Sequence, residues 1–105
     1  MHVQVVTFSL RDISDADYRS ACDGLANVFT GLPGLISMVW LADKATNTYG
    51  GVYTWVDRLA MEAYLHSDIF TAIAANPDLA EITSRDFEVL EGPTRVTQAP
   101  AIPPA

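Results

Sequence analysis

Residues 35–41 read LISMVWL, and Ser37 is the only polar side chain among them. Successive side chains of a strand point to opposite faces. Ile36, Met38 and Trp40 therefore lie on one face, and Leu35, Val39 and Leu41 on the other. An antiparallel strand with one face in water alternates apolar with polar, and this one does not. Residues 2–10, HVQVVTFSL, behave similarly, with Val6, Phe8 and Leu10 set against Val3 and Val5. Any fold for this chain must cover both faces of at least two strands.

The rest of the chain supplies cover for one face. Ser14 is a helix cap with Asp17 three residues on, an acidic variant of the capping box. Tyr18, Cys22, Leu25 and Phe29 follow as one helical stripe, stopped by Gly31, Pro33 and Gly34. A polar turn at 43–48 joins a strand at 35–42 to one at 49–56, which makes a hairpin. Asp57 caps a second helix with Met61, Tyr64 and Leu65 on its apolar face. Ser67–Asp68 is a second start signal, so this helix restarts there and runs through Ile69, Phe70 and Ile73 to Asn76–Pro77. Residues 82–91 are a fourth strand.

The order βαββαβ with a central hairpin predicts an α+β, ferredoxin-like fold: a four-stranded antiparallel sheet with helices on one face. One domain covers residues 1–92. A Pro-rich C-terminal tail, 93–105, carries four of the six prolines and is expected to hold no regular structure. The face left bare by the helices predicts a homodimer packed sheet on sheet.

Charge and motif content remove several function classes. The net charge is −7, and the six basic residues form no cluster, which argues against nucleic acid and anionic membranes as partners. No apolar run is long enough to span a membrane. The N-terminus has neither a basic segment nor an apolar one after it, so the expectation is a cytoplasmic protein. Cys22 is the only cysteine, so no internal disulfide forms, and its place in an apolar stripe reads as an inert core thiol. No Gly-rich loop opens a helix after a strand, and C-x-x-C, H-x-x-x-H and G-x-S-x-G are all absent. The spacing of the two histidines suggests no metal site.

Gly50 and Gly51 stand inside a strand, where glycine weakens pairing unless something approaches the backbone or an aromatic covers the gap. If residue 42 pairs with 49, then 40 faces 51, 38 faces 53, and Met38, Trp40, Tyr53 and Trp55 share one face. A slip of one residue in the turn sends them to the other face. The cluster reads either as aromatic rescue within a core or as the wall of a pocket.

Four segments carry a family resemblance. G-L-x-x-x-V-W (Gly34 to Trp40), Y-G-G-V-Y (Tyr49 to Tyr53), A-Y-L (Ala63 to Leu65) and F-x-V-x-E (Phe87 to Glu91) resemble the YdhR-like monooxygenases of the dimeric α+β-barrel superfamily. The resemblance covers residues 2–92. It implies a dimeric α+β barrel and a monooxygenase-type activity, on a scaffold that also hosts haem degraders, isomerases and cyclases. The segment Y-L-H-S-D-I-F, residues 64–70, is similar to the W-L-x-S-D-x-F segment of the haem-degrading branch. Where that branch has its leading tryptophan and its iron-ligating histidine, this chain has Tyr64 and Ala74. The comparison implies no haem ligation.

These readings predict a cofactor-independent monooxygenase acting on a small aromatic, a phenol or hydroquinone, with O2. Such a reaction needs an apolar cleft, expected between the sheet and the second helix and bounded by Met38, Trp40, Tyr53, Trp55, Tyr64 and Phe70. It also needs a base, for which His66 is the candidate, and a cation beside the substrate anion, for which Arg85 is the candidate. His2 is expected to be an exposed terminal residue. The alternatives are a non-catalytic protein that binds a hydrophobic small molecule, and a non-oxidative cyclase or isomerase.

Overall fold

The computed structural model describes residues 1–98. Strand β1 (His2–Leu10) leads to helix α1 (Asp15–Thr30), the hairpin β2 (Leu35–Asp43) and β3 (Thr48–Trp55), helices α2 (Arg58–Leu65) and α3 (Asp68–Ala75), strand β4 (Leu79–Glu88) and helix α4 (Glu91–Gln98). The four strands form one antiparallel sheet in the order β2-β3-β1-β4.

The helix starts follow the cap chemistry. Side chains of Ser14, Asp57 and Ser67 accept from the backbone N–H of Asp17, Ala60 and Phe70, each satisfying a donor the first turn leaves unpaired. The hairpin has the expected register, with Ala42 opposite Tyr49, Trp40 opposite Gly51 and Met38 opposite Tyr53. A bulge between Leu35 and Ser37 returns Leu35 to the face of Trp55. Leu35 therefore packs against the core with Met38 and Trp40, where strict alternation had assigned it to the opposite face.

Two boundaries shift. β4 runs over 79–88 instead of 82–91, because Leu79 and Ala80 pair with Leu10 and Ser9 across a bulge that holds Glu81 at φ 56°. Past Glu88 the neighbouring strand has ended, and Val89 N–H reaches only the Met1 carbonyl. The expectation of no regular structure in the 93–105 tail is corrected over residues 93–98, which lie in helix α4. Pro93 sits in the first turn of α4, where its missing N–H breaks no intrahelical bond. The prolines at 100, 103 and 104 lie outside the described residues.

The core is Val6, Phe8, Phe29, Tyr49, Tyr53, Trp55, Met61 and Tyr64, on the helix-covered side of the sheet. Two polar side chains join it. Gln4, 0 % exposed, accepts from the Trp55 indole N–H and donates to Ser84 Oγ. His2 is buried and lies 2.6 Å from Asp86 Oδ2, which corrects the expectation of an exposed terminus. It shares the inward face with Gln4, and Met1 ahead of it is tied down through Val89. On the other side of the sheet Val39 and Phe87 are 58 % and 47 % exposed. Val3, Val5 and Val52 share that face by register.

Candidate active site

The most apolar and enclosed cavity among the described residues lies between α1, the sheet and the corner where α3 hands over to β4. Its volume is about 130 Å³. The spacing along α1 explains it. Tyr18 packs edge-on against Phe8 and Tyr49, with ring centroids 5.8 and 5.0 Å away. Eleven residues later Phe29 packs edge-on against Trp40 at 5.2 Å. These aromatics prop the helix off the sheet at both ends. Between them Ala21, Cys22 and Leu25 face the gap, and Gly50 brings bare backbone from below. Ala21, Leu25 and Asn76 are exposed as well as lining, so the mouth opens between α1 and the end of α3.

Of the residues the sequence nominated, Met38, Trp40 and Tyr53 line this cavity. Trp55, Tyr64 and Phe70 stand behind them. Trp55 stacks on Tyr53 with centroids 5.8 Å apart, Tyr64 packs on Trp55 at 5.3 Å, and Phe70 meets Tyr64 at 5.3 Å. Trp55 and Tyr64 also line a separate, less apolar pocket against α2, with Leu32, Pro33, Ala60, Ala63 and Ser67, so the nominated residues divide between two spaces and the more apolar one is under α1. Tyr18, Cys22, Leu25 and Phe29 form the expected stripe. Periodicity alone does not show that large residues at its ends hold small ones away from the sheet.

The two glycines have different causes. Gly50 has φ 151°, and a Cβ there would lie 1.8 Å from the Val6 carbonyl oxygen, so the close approach is to neighbouring backbone. A Cβ on Gly51 would meet the far end of the Met38 side chain at 2.8 Å. The volume absent at Gly51 is filled by Met38, and so it adds nothing to the cavity.

The two nominated catalytic residues do not reach the cavity. His66 is exposed as the C-cap of α2. It follows buried Tyr64 by two positions, which turns it roughly 200° around a helix of 3.6 residues per turn. Arg85 pairs with Val5 and so lies on the face away from the helices, exposed, its guanidinium 5.3 Å from the Phe87 ring centre. The cavity also draws on residues the sequence did not nominate, among them Phe8, Tyr18, Cys22, Phe29, Asn76 and Asp78.

Titratable groups around the cavity are mostly held neutral. Burial pushes the Tyr18, Tyr53 and Tyr64 phenols up, and burial likewise raises the Cys22 thiol. Asp78 is the carboxylate among the lining residues. Its backbone is fixed by an Asn76 side chain that accepts its N–H at 2.9 Å, and its carbonyl accepts from Arg11 at 2.7 Å. Among the described residues no cluster of three or more His, Cys, Asp or Glu is arranged to hold a metal ion. No described helix is long and apolar enough to cross a membrane.

The sequence matches the family model described as "Putative mono-oxygenase ydhR" over residues 3–100. No curated protein matches it. Among solved structures the chain is similar to a "putative antibiotic biosynthesis monooxygenase" of Deinococcus radiodurans, at TM-score 0.70 and 18% identity over 88% of this chain and 95% of that one. It is similar to SnoaB, a cofactor-independent oxygenase of Streptomyces nogalater, at TM-score 0.67 and 21% identity over 86% and 93%. It is also similar to the heme-degrader MhuD of Mycobacterium tuberculosis, solved with two hemes bound, at TM-score 0.68 and 20% identity over 86% and 96%. At these identities the likeness establishes the fold.

Proposed function

The chain belongs to the family described as putative mono-oxygenase ydhR, and we propose that it oxygenates a small electron-rich aromatic, of phenol or hydroquinone type, without a resident cofactor. The observation that carries this reading is the aromatic-walled cavity of about 130 Å³ under α1. An apolar cavity of about 150 Å³ takes up benzene, so this one suits a single ring, with larger groups projecting through the mouth. A porphyrin is far larger, Ala74 is exposed on α3 with no ligating atom, and no histidine lines the cavity. Those facts favour a substrate that supplies its own electrons.

The chemistry balances on that basis. One hydroquinone and one O2 give one hydroxybenzoquinone and one water. The ring surrenders four electrons and O2 accepts them. One oxygen atom forms the new C–O bond in place of a ring C–H bond. The other leaves as water, carrying two of the hydrogens the ring and its hydroxyls give up. Deprotonation comes first, because a phenolate gives up an electron far more readily than a phenol. We assign the base to Asp78, at the cavity wall, in place of the exposed His66. Apolar walls exclude water and strengthen the contacts that remain. The test is oxygen uptake with a panel of substituted hydroquinones in metal-chelated buffer. Asp78→Asn is expected to lower kcat by about 10²- to 10⁴-fold with little change in binding. Binding without uptake across the panel would favour the small-molecule carrier, and a rearranged product without uptake would favour a cyclase or isomerase.

We further propose that two copies pack through the exposed sheet face of Val3, Val5, Val39, Val52 and Phe87. In that assembly Arg85 serves the interface and not the substrate. Val39→Asp is expected to give a folded monomer by sedimentation at micromolar concentration where the parent sediments as a dimer, because a buried unpaired carboxylate opposes association. A parent that sediments as a monomer contradicts the assembly.

A further inference from the structure

Tyr53 and Tyr64 meet behind the cavity with their hydroxyl oxygens 3.0 Å apart. Each residue is 3 % exposed. One hydroxyl donates to the other, and that bond uses one of the pair's two protons. The second proton has no acceptor among the described residues, and this is the only side-chain hydrogen bond either phenol makes there. A buried donor left without an acceptor has lost its water and gained nothing in return. Buried polar groups in native interiors are normally paired with protein, water or ligand, and the cavity is the space from which a partner can reach this proton.

The direction of the pair follows from position. Tyr53 lines the cavity and Tyr64 does not. Both protons are used only when Tyr64 donates to Tyr53 and Tyr53 donates into the cavity. The surrounding wall of Phe29, Met38, Trp40 and Ile73 offers Tyr53 no acceptor. We propose that the Tyr53–Tyr64 pair is a hydrogen-bond donor site for one acceptor oxygen, a ring carbonyl or phenolate, of an aromatic molecule bound in the cavity. This rests on the reading of that cavity as the substrate site and deepens it. Burial keeps both phenols protonated at neutral pH, so both remain donors. A phenol that accepts a hydrogen bond is a better donor in turn, so Tyr64 polarises Tyr53. The pair thereby takes over the anion-holding role that the sequence reading gave to Arg85.

The probes are acetophenone, which has one acceptor oxygen and no donor, and isopropylbenzene, its near-isostere without oxygen. Dissociation constants are read by quenching of tryptophan fluorescence. The parent protein is expected to prefer acetophenone by about threefold to tenfold, the range of one net hydrogen bond. Tyr53→Phe is expected to bring the ratio below one, because the carbonyl then loses its water and finds no donor, while isopropylbenzene binds as before. Tyr64→Phe is expected to lower the ratio part of the way, through loss of polarisation. The bound carbonyl stretch, read by infrared difference with ¹³C-labelled acetophenone, is expected at lower wavenumber than in hydrocarbon solvent. That shift decides the matter if Tyr53→Phe does not fold. Equal affinities in the parent, a preference that survives Tyr53→Phe, or an unshifted carbonyl would overturn the donor site while leaving the cavity as a binding site. Failure of both probes to bind would overturn the cavity reading itself.

Discussion

Gly50→Ala is expected to unfold the domain or leave it barely stable, while Gly24→Ala stabilises it. The substitution is the same and the surroundings are opposite. At position 50 the backbone sits at φ 151°, a region essentially reserved for glycine, and the new Cβ would lie 1.8 Å from the carbonyl oxygen of Val6 and 2.8 Å from its carbon. Neither atom can move without parting β1 from β3, the central pair of the sheet. Backbone strain alone costs about 1–3 kcal/mol, and disruption of the pairing takes the total above about 4 kcal/mol, most of what a small domain has. At position 24, inside α1, a Cβ meets nothing within 4 Å. Alanine there should gain about 0.5–1 kcal/mol from helix propensity. Thermal unfolding of the two variants beside the parent checks both signs. A Gly50→Ala protein that melts within a few degrees of the parent would mean that β3 does not approach β1 as described.

Ala21→Trp is expected to abolish turnover without loss of the fold. Ala21 is exposed, sits at the mouth of the cavity and packs against nothing in the core. An indole at this position can lie across the opening toward Asn76. Displacing a substrate by even about an ångström costs on the order of 10²-fold in rate, and a blocked mouth should cost at least that. The melting temperature should stay near that of the parent, since the core residues are untouched. Unchanged turnover of the same substrate would place the reaction elsewhere on the molecule.

The fold was legible because its signals are local. Ser14, Asp57 and Ser67 announce three helix starts by the chemistry of their side chains, and each forms the expected cap. The polar turn at 43–48 located the hairpin, and of the registers it allows the structure takes the one that pairs Ala42 with Tyr49. What escaped depends on geometry that the chain does not write locally. The bulge at Leu35–Ser37 moves a side chain across the sheet, and nothing in a run of apolar residues marks it. The positive φ at Glu81 lets β4 begin three residues early, although glutamate is not a residue that advertises such a turn. Pro93 reads as a breaker, but in a first turn it breaks nothing.

The candidate site was half legible for the same reason. The aromatic wall of Met38, Trp40 and Tyr53 followed from strand pairing. Arg85 and His66 stood out for their chemistry, which says nothing of their faces. The pairing of Arg85 with Val5 turns the guanidinium away from the helices, and the helical phase after Tyr64 turns the imidazole to solvent. The Tyr53–Tyr64 contact joins residues eleven apart on a strand and a helix, and no spacing rule foretells that their hydroxyls meet. Tyr49 illustrates the same limit elsewhere. Its hydroxyl donates to Asp15 at the start of α1, and that bond holds the Asp15 carboxyl below its ordinary pKa.

The source of the new oxygen atom decides whether the substrate itself reduces O2. The direct measurement incubates metal-chelated protein with a hydroquinone under ¹⁸O-labelled dioxygen and reads the product by mass spectrometry within its first turnovers. The predicted result is a hydroxyquinone carrying one ¹⁸O atom, with no label gained when the isotope is supplied in water instead. An oxygen atom taken from water, or no oxygenated product from any member of the hydroquinone panel, would contradict it.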